Sequence, residues 1–226
     1  MDFLPPDLQA YADAHCGPEP PLLTRLARET HVRIHKSLMF SGHAQGRLLS
    51  LLSKLVAPRR ILEIGTFTGY SALCLAEGLA PGGELHTLDL NDELAGLATR
   101  YFTEAGLADV IHGHWGRPAA DVLPTLPGPW DLVFIDANKE QNQVYFELVI
   151  DHVRPGGLLL VDNVLWYGKV LDAYLPDPAR GLDKETRAVR AFNDAMLHDA
   201  RVEPVLLPVR DGLLLLRKAS PPSPLS

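Results

Sequence analysis

Three oxygen-bearing side chains stand at points where an apolar run of residues abruptly turns polar. Asp136 follows Leu-Val-Phe-Ile, and Asp162 and Asn163 follow Leu-Leu-Leu-Val. Such runs predict buried parallel strands, and ligands bind at the carboxyl ends of such strands. Two carboxylates and an amide oxygen that converge there suit a hard divalent cation: Mg²⁺, Ca²⁺ or Mn²⁺. The structural alternative is that one Asp caps the next helix while the Asp-Asn pair makes a turn. Taken together, the three residues favour the metal.

A second informative stretch, residues 62–71, combines a strand, a glycine-containing turn and the start of a helix. It carries Gly-x-x-x-Gly, from Gly65 to Gly69, and lacks both the third glycine of a dinucleotide fingerprint and the Lys of a phosphate-binding loop. A nucleoside ligand without a phosphate group therefore fits better. Glu63, at the end of the strand, suits a cationic amino group on that ligand. The alternative is a tight turn that serves packing only.

Asp89 ends the next apolar run, about twenty residues beyond Gly69. An acid at the end of the second strand of such a unit commonly accepts hydrogen bonds from ribose hydroxyls. The alternative role is a helix cap, but Asn91 and Asp92 are better placed for it. The sequence therefore predicts a ribose contact at Asp89.

The elements that must position these residues follow from the spacing of apolar side chains. Helices are expected at 7–15, 21–36 and 44–56, so residues 1–58 form an N-terminal helical segment. Residues 59–218 alternate between strand and helix patterns. This alternation predicts an α/β fold, with a doubly wound, Rossmann-like, seven-stranded and mostly parallel sheet.

Within this core the strands are expected at 61–64, 84–88, 109–112, 132–135, 158–162, 202–209 and 213–217. The helices are expected at 70–78, 92–105, 117–126, 140–153 and 184–197. Asp-Gly before the final strand predicts a hairpin, so that strand should run antiparallel to its neighbour.

Two further segments complete the predicted organisation. Residues 163–183 form a long connection of the kind that serves as a lid or substrate loop. Residues 219–226, rich in proline and serine, are expected to be a disordered tail. The whole chain, residues 1–226, is predicted to be a single domain.

The composition of the chain indicates which classes of partner and which cellular compartment to expect. The chain has 226 residues, a hydrophobic fraction of 46%, a charged fraction of 22% and a formal net charge of −7. This balance is that of a globular protein and argues against a nucleic acid or an anionic membrane as partner. Without a signal peptide pattern or an apolar run of about 20 residues, a cytoplasmic location is expected. Cys16 and Cys74 offer no metal-ligand spacing, and Cys74 is expected in the core.

Three motifs together resemble those of the cation-dependent O-methyltransferases. They are Glu-Ile-Gly-Thr-Phe-Thr-Gly-Tyr-Ser at 63–71, Phe-Ile-Asp-Ala-Asn-Lys at 134–139 and Val-Asp-Asn-Val-Leu-Trp at 161–166. The residues Leu-Pro-Val-Arg-Asp-Gly at 207–212 resemble the terminal hairpin of the same family. This family of class I S-adenosylmethionine-dependent enzymes includes the catechol and caffeoyl-coenzyme A O-methyltransferases and many small bacterial relatives. The resemblance runs from about residue 46 to residue 218.

The resemblance implies a set of site residues. S-adenosylmethionine would be held by Glu63, Gly65, Thr66, Ser71, Asp89 and Asp136, with Ala119 near the adenine. A Mg²⁺-type ion would be held by Asp136, Asp162 and Asn163. Lys139 matches the lysine assigned as general base in catechol methylation; its alternative is an ordinary solvated surface lysine. For Ala119 the alternative is ordinary packing.

The expected reaction is methyl transfer to a hydroxyl of a small phenolic acceptor that carries vicinal hydroxyl groups. Two other functions are consistent with parts of the pattern: a metal-dependent hydrolase or phosphotransferase, and a non-catalytic protein that binds S-adenosylmethionine. The family and the apolar content of the early helices predict a homodimer, the apolar residues being Leu22, Leu26, Leu38, Met39 and Phe40. His112 and His114 alternate as strand residues do, and without a third soft ligand nearby they are expected to serve surface or packing roles.

Overall fold

The helices that precede the first strand form where helical spacing predicts them. The computed structural model describes residues 4–34, 40–177 and 181–220. The first three helices are α1 (Pro6–Ala14), α2 (Pro21–Arg33) and α3 (His43–Val56). Proline is the first residue of both α1 and α2, where its missing N–H breaks no helical hydrogen bond. The end expected for the second helix, residues 35–36, lies outside the described residues.

Strands and helices alternate over the rest of the chain, as predicted. The strands are β1 (Arg60–Ile64), β2 (Glu84–Asp89), β3 (Ile111–Trp115), β4 (Trp130–Ile135), β5 (Val153–Asp162), β6 (Val202–Leu207) and β7 (Leu213–Lys218). The later helices are α4 (Tyr70–Ala76), α5 (Ala95–Glu104), α6 (Ala119–Val122), α7 (Asn142–Ile150) and α8 (Lys184–His198). In the described residues the strand order is β3-β2-β1-β4-β5-β7-β6, and β7 runs antiparallel to both β5 and β6. The predicted seven-stranded Rossmann-like fold with an antiparallel final strand is confirmed.

The chain divides into two compact units. The first, Leu4–Pro127, contains β1 to β3 and α1 to α6. The second begins at Gly128 and contains β4 to β7, α7 and α8. That residues 1–226 form one domain stays a prediction.

Each unit has a core built from the apolar strand residues. In the first, Ile61 and Leu62 of β1 and Leu85 of β2 are fully buried, and every residue of α4 is buried. In the second, Phe146 of α7 and Phe192 of α8 are buried and meet edge to face with 6.3 Å between ring centroids. Strands that are apolar on both faces need such cover, and helices packed on the sheet provide it.

The largest departure from the predicted elements lies between β4 and β5. In place of the single helix expected at 140–153, the chain forms a 3₁₀ turn, Lys139–Gln141, and then α7. The strand expected at 158–162 begins earlier, so that β5 starts at Val153. The register changes there, from Trp130 opposite Val153 to Leu132 opposite Leu158. A bulge that contains Pro-Gly-Gly accommodates the change, and the second of these residues, Gly156, has φ +73°. Proline and glycine therefore interrupt the apolar run without ending the strand.

Several other boundaries shift for local reasons. The strand expected at 109–112 runs from 111 to 115, because residues before it form a turn in which Val110 N–H bonds Leu107 O at 3.0 Å. The helix expected at 117–126 is divided into α6 and a 3₁₀ turn, Leu123–Thr125. Proline at position 124 cannot donate the helical hydrogen bond at that point.

Burial bears on two further expectations. Cys74 is fully buried, as predicted, and burial raises the pKa of its thiol to about 12. Leu26 and Phe40, named as support for a dimer, are instead buried within the chain itself. Leu38 and Met39 lie outside the described residues, as do 221–226 of the expected tail. The homodimer stays a prediction.

No helix within the residues that the structure describes combines the length and the apolar character needed to cross a membrane.

Glu77, the residue that follows α4, fastens that helix to α3. Its carboxylate accepts hydrogen bonds from Arg47 at 2.7 Å, Ser50 at 2.7 Å and Lys54 at 2.8 Å. Burial alone would raise the pKa of Glu77. The hydrogen bonds from the three donors together have a larger effect than burial, and the pKa of Glu77 is lowered to about 2. Because the folded pKa is depressed, the stabilisation is complete above the unfolded value and is lost as the pH falls towards 2.

We expect Glu77→Gln to lower the free energy of unfolding at pH 7 by about 2 kcal/mol, after allowance for solvent access to the side chain. Urea titrations of wild type and variant at pH 7 and pH 3 measure the difference, which should shrink at pH 3. Glu93→Gln, at an exposed position, is the matched control. An equal loss at both pH values would show that the charge of Glu77 is not what stabilises the helix pair.

Candidate functional site

A sharply bent loop follows β1 and leads into α4. Three of its residues have positive φ: Gly65 at 104°, Phe67 at 48° and Gly69 at 86°. A Cβ atom at Gly69 would lie 2.6 Å from the ring of Phe102. Both the backbone conformation and the close contact therefore require glycine at that position. The backbone turns tightly enough for a ligand to approach it closely.

Asp89, at the end of β2, holds this loop in place. Its Oδ2 accepts hydrogen bonds from the backbone N–H groups of Thr66 at 3.1 Å and Phe67 at 2.7 Å, and its Oδ1 accepts one from Asn91 N–H at 2.9 Å. The residue before α5 is Leu94, so Asp89 does not cap that helix. A carboxylate oxygen can accept more than one hydrogen bond, so bracing the loop is compatible with a ribose contact, which stays a prediction.

Behind the loop lies a chain of buried polar side chains. Glu63 is fully buried, and the hydroxyl of Thr87 donates to its Oε2. Thr87 Oγ1 is also 2.5 Å from the Oγ1 of Thr66. Ser71, in the first turn of α4, is 6% exposed. The structure thus gathers Glu63, Gly65, Thr66, Ser71 and Asp89 around one loop in the first unit.

The predicted adenine contact lies at the start of α6. Ala119, the first residue of that helix, is partly buried. Trp115 ends β3 directly beside Asp89 in the register of β2 and β3, and a Cβ atom at Gly113 would lie 2.6 Å from its indole ring. Trp115 therefore folds back over its own strand. The role of Ala119 stays a prediction.

In the second unit, Asp136 and Asp162 come from the ends of two paired strands. Ile135 of β4 lies opposite Val161 of β5 in a parallel register, so the next residues on both strands are the two acids. Asp162 is 5% exposed, and its Oδ1 accepts a hydrogen bond from the N–H of Asn163 at 2.8 Å. Asn163 has φ +60°, which turns the chain out of the strand. Two carboxylates and an amide oxygen fit a hard cation by their chemistry. Their roles as ligands stay predictions.

Lys139 is buried rather than solvated. It is 7% exposed, and its Nζ donates to Asp136 Oδ1 at 2.8 Å. The side chain of Asn138, not of Asp136, caps the following 3₁₀ turn by accepting from Glu140 N–H at 3.0 Å. The alternative of a solvated surface lysine is therefore wrong, and the capping role proposed as an alternative for Asp136 belongs to Asn138.

The sequence predicts Asp211 only as part of the hairpin turn before β7, and the structure gives it a second role. It is 4% exposed, and its Oδ1 accepts a hydrogen bond from Tyr167 N–H at 2.6 Å. Burial raises the pKa of this carboxyl, while the Tyr167 N–H and the charge of Lys139 oppose the rise. Backbone bonds add to the attachment: Leu165 N–H to Asp211 O at 2.9 Å and Val164 N–H to Gly212 O at 3.2 Å.

The segment expected to be a lid, residues 163–183, is thus fastened at its beginning. Asn193 of α8 donates to Val164 O at 2.8 Å, and Arg190 donates to Lys169 O at 2.6 Å. Two 3₁₀ turns, Trp166–Gly168 and Asp172–Tyr174, give it local structure. Residues 178–180 lie outside the described part of the chain. The first half of the segment is a braced connection, and the hairpin and α8 hold it.

We expect Asp211→Ala to speed amide hydrogen exchange at Tyr167 by about 10- to 100-fold, because a hydrogen bond to a buried carboxylate is lost. Residue-resolved exchange measured by NMR provides the test. Asp211→Asn keeps an acceptor oxygen and should retain most of the protection, and Asp194→Ala on α8 is the surface control. Unchanged exchange in Asp211→Ala would mean that the backbone bonds alone hold the segment.

Known proteins resemble this chain over almost its whole length. A family model described as O-methyltransferase matches residues 13–219. The catechol O-methyltransferase of Mycobacterium tuberculosis is 40% identical over 169 residues, which cover 74% of this chain and 76% of that protein. Caffeoyl-CoA O-methyltransferase 2 of Petunia hybrida is 34% identical over 222 residues, 94% of this chain and 90% of that protein.

A solved structure agrees with these matches. The O-methyltransferase TomG from Streptomyces achromogenes, involved in tomaymycin synthesis and crystallised in complex with SAM, has a TM-score of 0.83 and 34% identity. The similarity covers 95% of this chain and 96% of TomG. As its motifs predicted, the chain belongs to the O-methyltransferase family.

Proposed function

We propose that this protein transfers a methyl group from S-adenosylmethionine to a hydroxyl of a small catechol-like acceptor, with the help of a divalent cation. The observation that carries the proposal is the arrangement in the second unit. Asp136 and Asp162 follow paired positions of β4 and β5, and the buried Lys139 is bonded to Asp136 at 2.8 Å. Relatives named as catechol and caffeoyl-CoA O-methyltransferases support this acceptor chemistry.

The first unit supplies the groups that suit S-adenosylmethionine. The cofactor carries an activated methyl group on a sulfonium, together with a ribose and an amino group. The buried carboxyl of Glu63 suits the amino group, and the acid at the end of β2, Asp89, suits the ribose. The glycines at both ends of the loop, Gly65 and Gly69, let the backbone approach the ligand closely. The loop has no lysine of the kind that binds a phosphate group, which fits a cofactor without phosphate. TomG, solved with SAM, supports this choice of cofactor.

The second unit supplies oxygen ligands and a base. A divalent cation such as Mg²⁺ supplies a positive charge that favours the ionised form of an acceptor hydroxyl. Asp136, Asp162 and Asn163 offer the oxygen atoms that would hold it. Lys139 is held beside the proposed ligand Asp136 by its hydrogen bond to that carboxylate. In its neutral amine form, Lys139 would accept the proton of the acceptor hydroxyl and become an ammonium.

The other two functions are less well supported. A metal-dependent hydrolase or phosphotransferase needs no methyl donor, and membership of the O-methyltransferase family argues against it. A non-catalytic protein that binds S-adenosylmethionine would have no need of the acids, the amide and the buried lysine, all of which are present. A methyl-transfer assay with a panel of catechols separates this function from the proposed one.

We expect Asp136→Ala to lower kcat/KM for catechol methylation by at least about 100-fold, because a cation contributes several kcal/mol to the transition state. Calorimetry on Asp162→Ala, which removes a proposed cation ligand outside the proposed cofactor set, should show S-adenosylmethionine binding within a few-fold of wild type. Asp194→Ala is the matched surface control. Full wild-type activity in excess chelator, or unchanged activity in the variant, would refute the need for a cation.

We expect Lys139→Met to lower kcat by about 100-fold or more, the usual contribution of a general base. The KM for S-adenosylmethionine should change little, and activity should recover partly at high pH, where hydroxide replaces the base. Lys184→Met, at an exposed position on α8, is the control. A variant with reduced stability but an unchanged kcat would assign Lys139 a structural role only.

A further inference from the structure

Four polar side chains share one face of the β2–β3 pair in the first unit. Glu84 and His86 are two residues apart on β2 and therefore point to the same side of the sheet. His112 of β3 lies opposite His86 in the parallel register, and His114 is two residues further along. The sheet thus brings together three imidazoles and a carboxylate that are scattered in the sequence.

The distances between the candidate ligand atoms are short. His86 Nε2 is 3.7 Å from Glu84 Oε1, and His112 Nε2 is 3.9 Å from Glu84 Oε2. One ligand atom from each of the three residues lies within 4.8 Å of the others. Zinc binds nitrogen and carboxylate oxygen at about 2.0 to 2.2 Å, so two ligands of one tetrahedral ion lie about 3.4 Å apart. The separations between the ligand atoms exceed this value, so the side chains would have to rotate to bind one ion. The His112 side chain is 40% exposed and has room to rotate.

His114 fixes the orientation of His86. Its Nε2 is 3.0 Å from His86 Nδ1. When Nδ1 donates in this bond, the lone pair of His86 is on Nε2, the atom that faces Glu84. Metal-binding histidines commonly use one ring nitrogen for such a bond and the other for the ion.

Arg60 competes for the carboxylate without blocking it. Its guanidinium is 2.9 Å from Glu84 Oε1, whereas Oε2 is the atom that faces His112. A carboxylate that pairs with arginine through one oxygen can still bind an ion through the other. The side chains of Arg60 and Glu84 are 30% and 31% exposed, so both can adjust.

We propose that Glu84, His86 and His112 bind a zinc-class transition metal ion on the β2–β3 face. Two imidazoles and one carboxylate are ligands that suit Zn²⁺, whereas the all-oxygen set Asp136, Asp162 and Asn163 suits Mg²⁺. Three protein ligands leave a fourth position for water, and the exposure of His112 keeps that position accessible to solvent. The two sites therefore consist of different residues and select different metals.

The ion would join β3 to its neighbour. β3 stands at one end of the strand order, where it pairs with β2 alone among the described strands. A metal bound by Glu84 and His86 on one strand and His112 on the other would cross-link the pair. Ligands that bind only the folded protein raise its stability, so Zn²⁺ raises the melting temperature.

The test is a calorimetric titration of the full-length, chelator-treated protein with Zn²⁺ in excess Mg²⁺, which fills the oxygen ligands. Wild type is expected to bind one Zn²⁺ tightly and to melt at a higher temperature with it. His112→Ala and Glu84→Gln should bind it at least tenfold more weakly and lose the thermal shift. His198→Ala, an exposed histidine on α8, should behave as wild type.

Two results would overturn the proposal. One is a His112→Ala protein that binds Zn²⁺ as tightly as wild type. The other is loss of the Zn²⁺ site in Asp162→Asn but not in His112→Ala, which would place the ion on the oxygen ligands. If His112→Ala folds poorly, His112→Gln gives the same comparison. Cobalt substitution gives an independent readout, since a tetrahedral Co²⁺ spectrum should appear in wild type and be absent from the variant.

Discussion

In-register pairing of β4 and β5 is the constraint on which the candidate cation site depends. Neighbouring strands lie about 4.8 Å apart, so the residues that follow Ile135 and Val161 are side by side whatever their type. The bulge at residues 155–157 sets this register by taking up the extra residues of β5. A slip of one residue would turn Asp162 to the other face of the sheet and separate it from Asp136. The main chain thus places the two acids at the adjacent carboxyl ends of paired strands.

Buried charge then links the strand ends to the rest of the second unit. Lys139 is bonded to Asp136, and its charge also acts on the carboxyl of Asp211 in the hairpin before β7. Asp211 in turn holds the backbone at Tyr167. Removing one partner of a buried pair leaves an uncompensated charge, which is strongly destabilising. The same side chains therefore position the site and stabilise the unit around it, so kinetic and stability effects of substitutions here need to be measured together.

Local patterns were sufficient to predict the fold and the positions of Asp136 and Asp162, because apolar runs that end in acids mark strand ends directly. They could not predict the bulge in β5, since proline and glycine normally signal the end of a strand. The role of Asp211 depends on a contact with Tyr167, 44 positions earlier in the chain. The grouping of His86 with His112 depends on a register between two strands. Strand ends marked by apolar runs were therefore predictable, whereas the bulge, the contact between Asp211 and Tyr167 and the histidine register were not.

The position of β7 has a consequence for synthesis of the protein. β7 follows β5 and β6 in the chain but lies between them in the sheet. Until it emerges from the ribosome, β5 presents an unpaired edge with the apolar residues Leu158, Leu159 and Leu160. Unpaired strand edges of this kind template contacts with other chains. This edge of the nascent protein is therefore open to contacts with other chains during the interval between completion of β5 and insertion of β7, and a chaperone that covered it would prevent them.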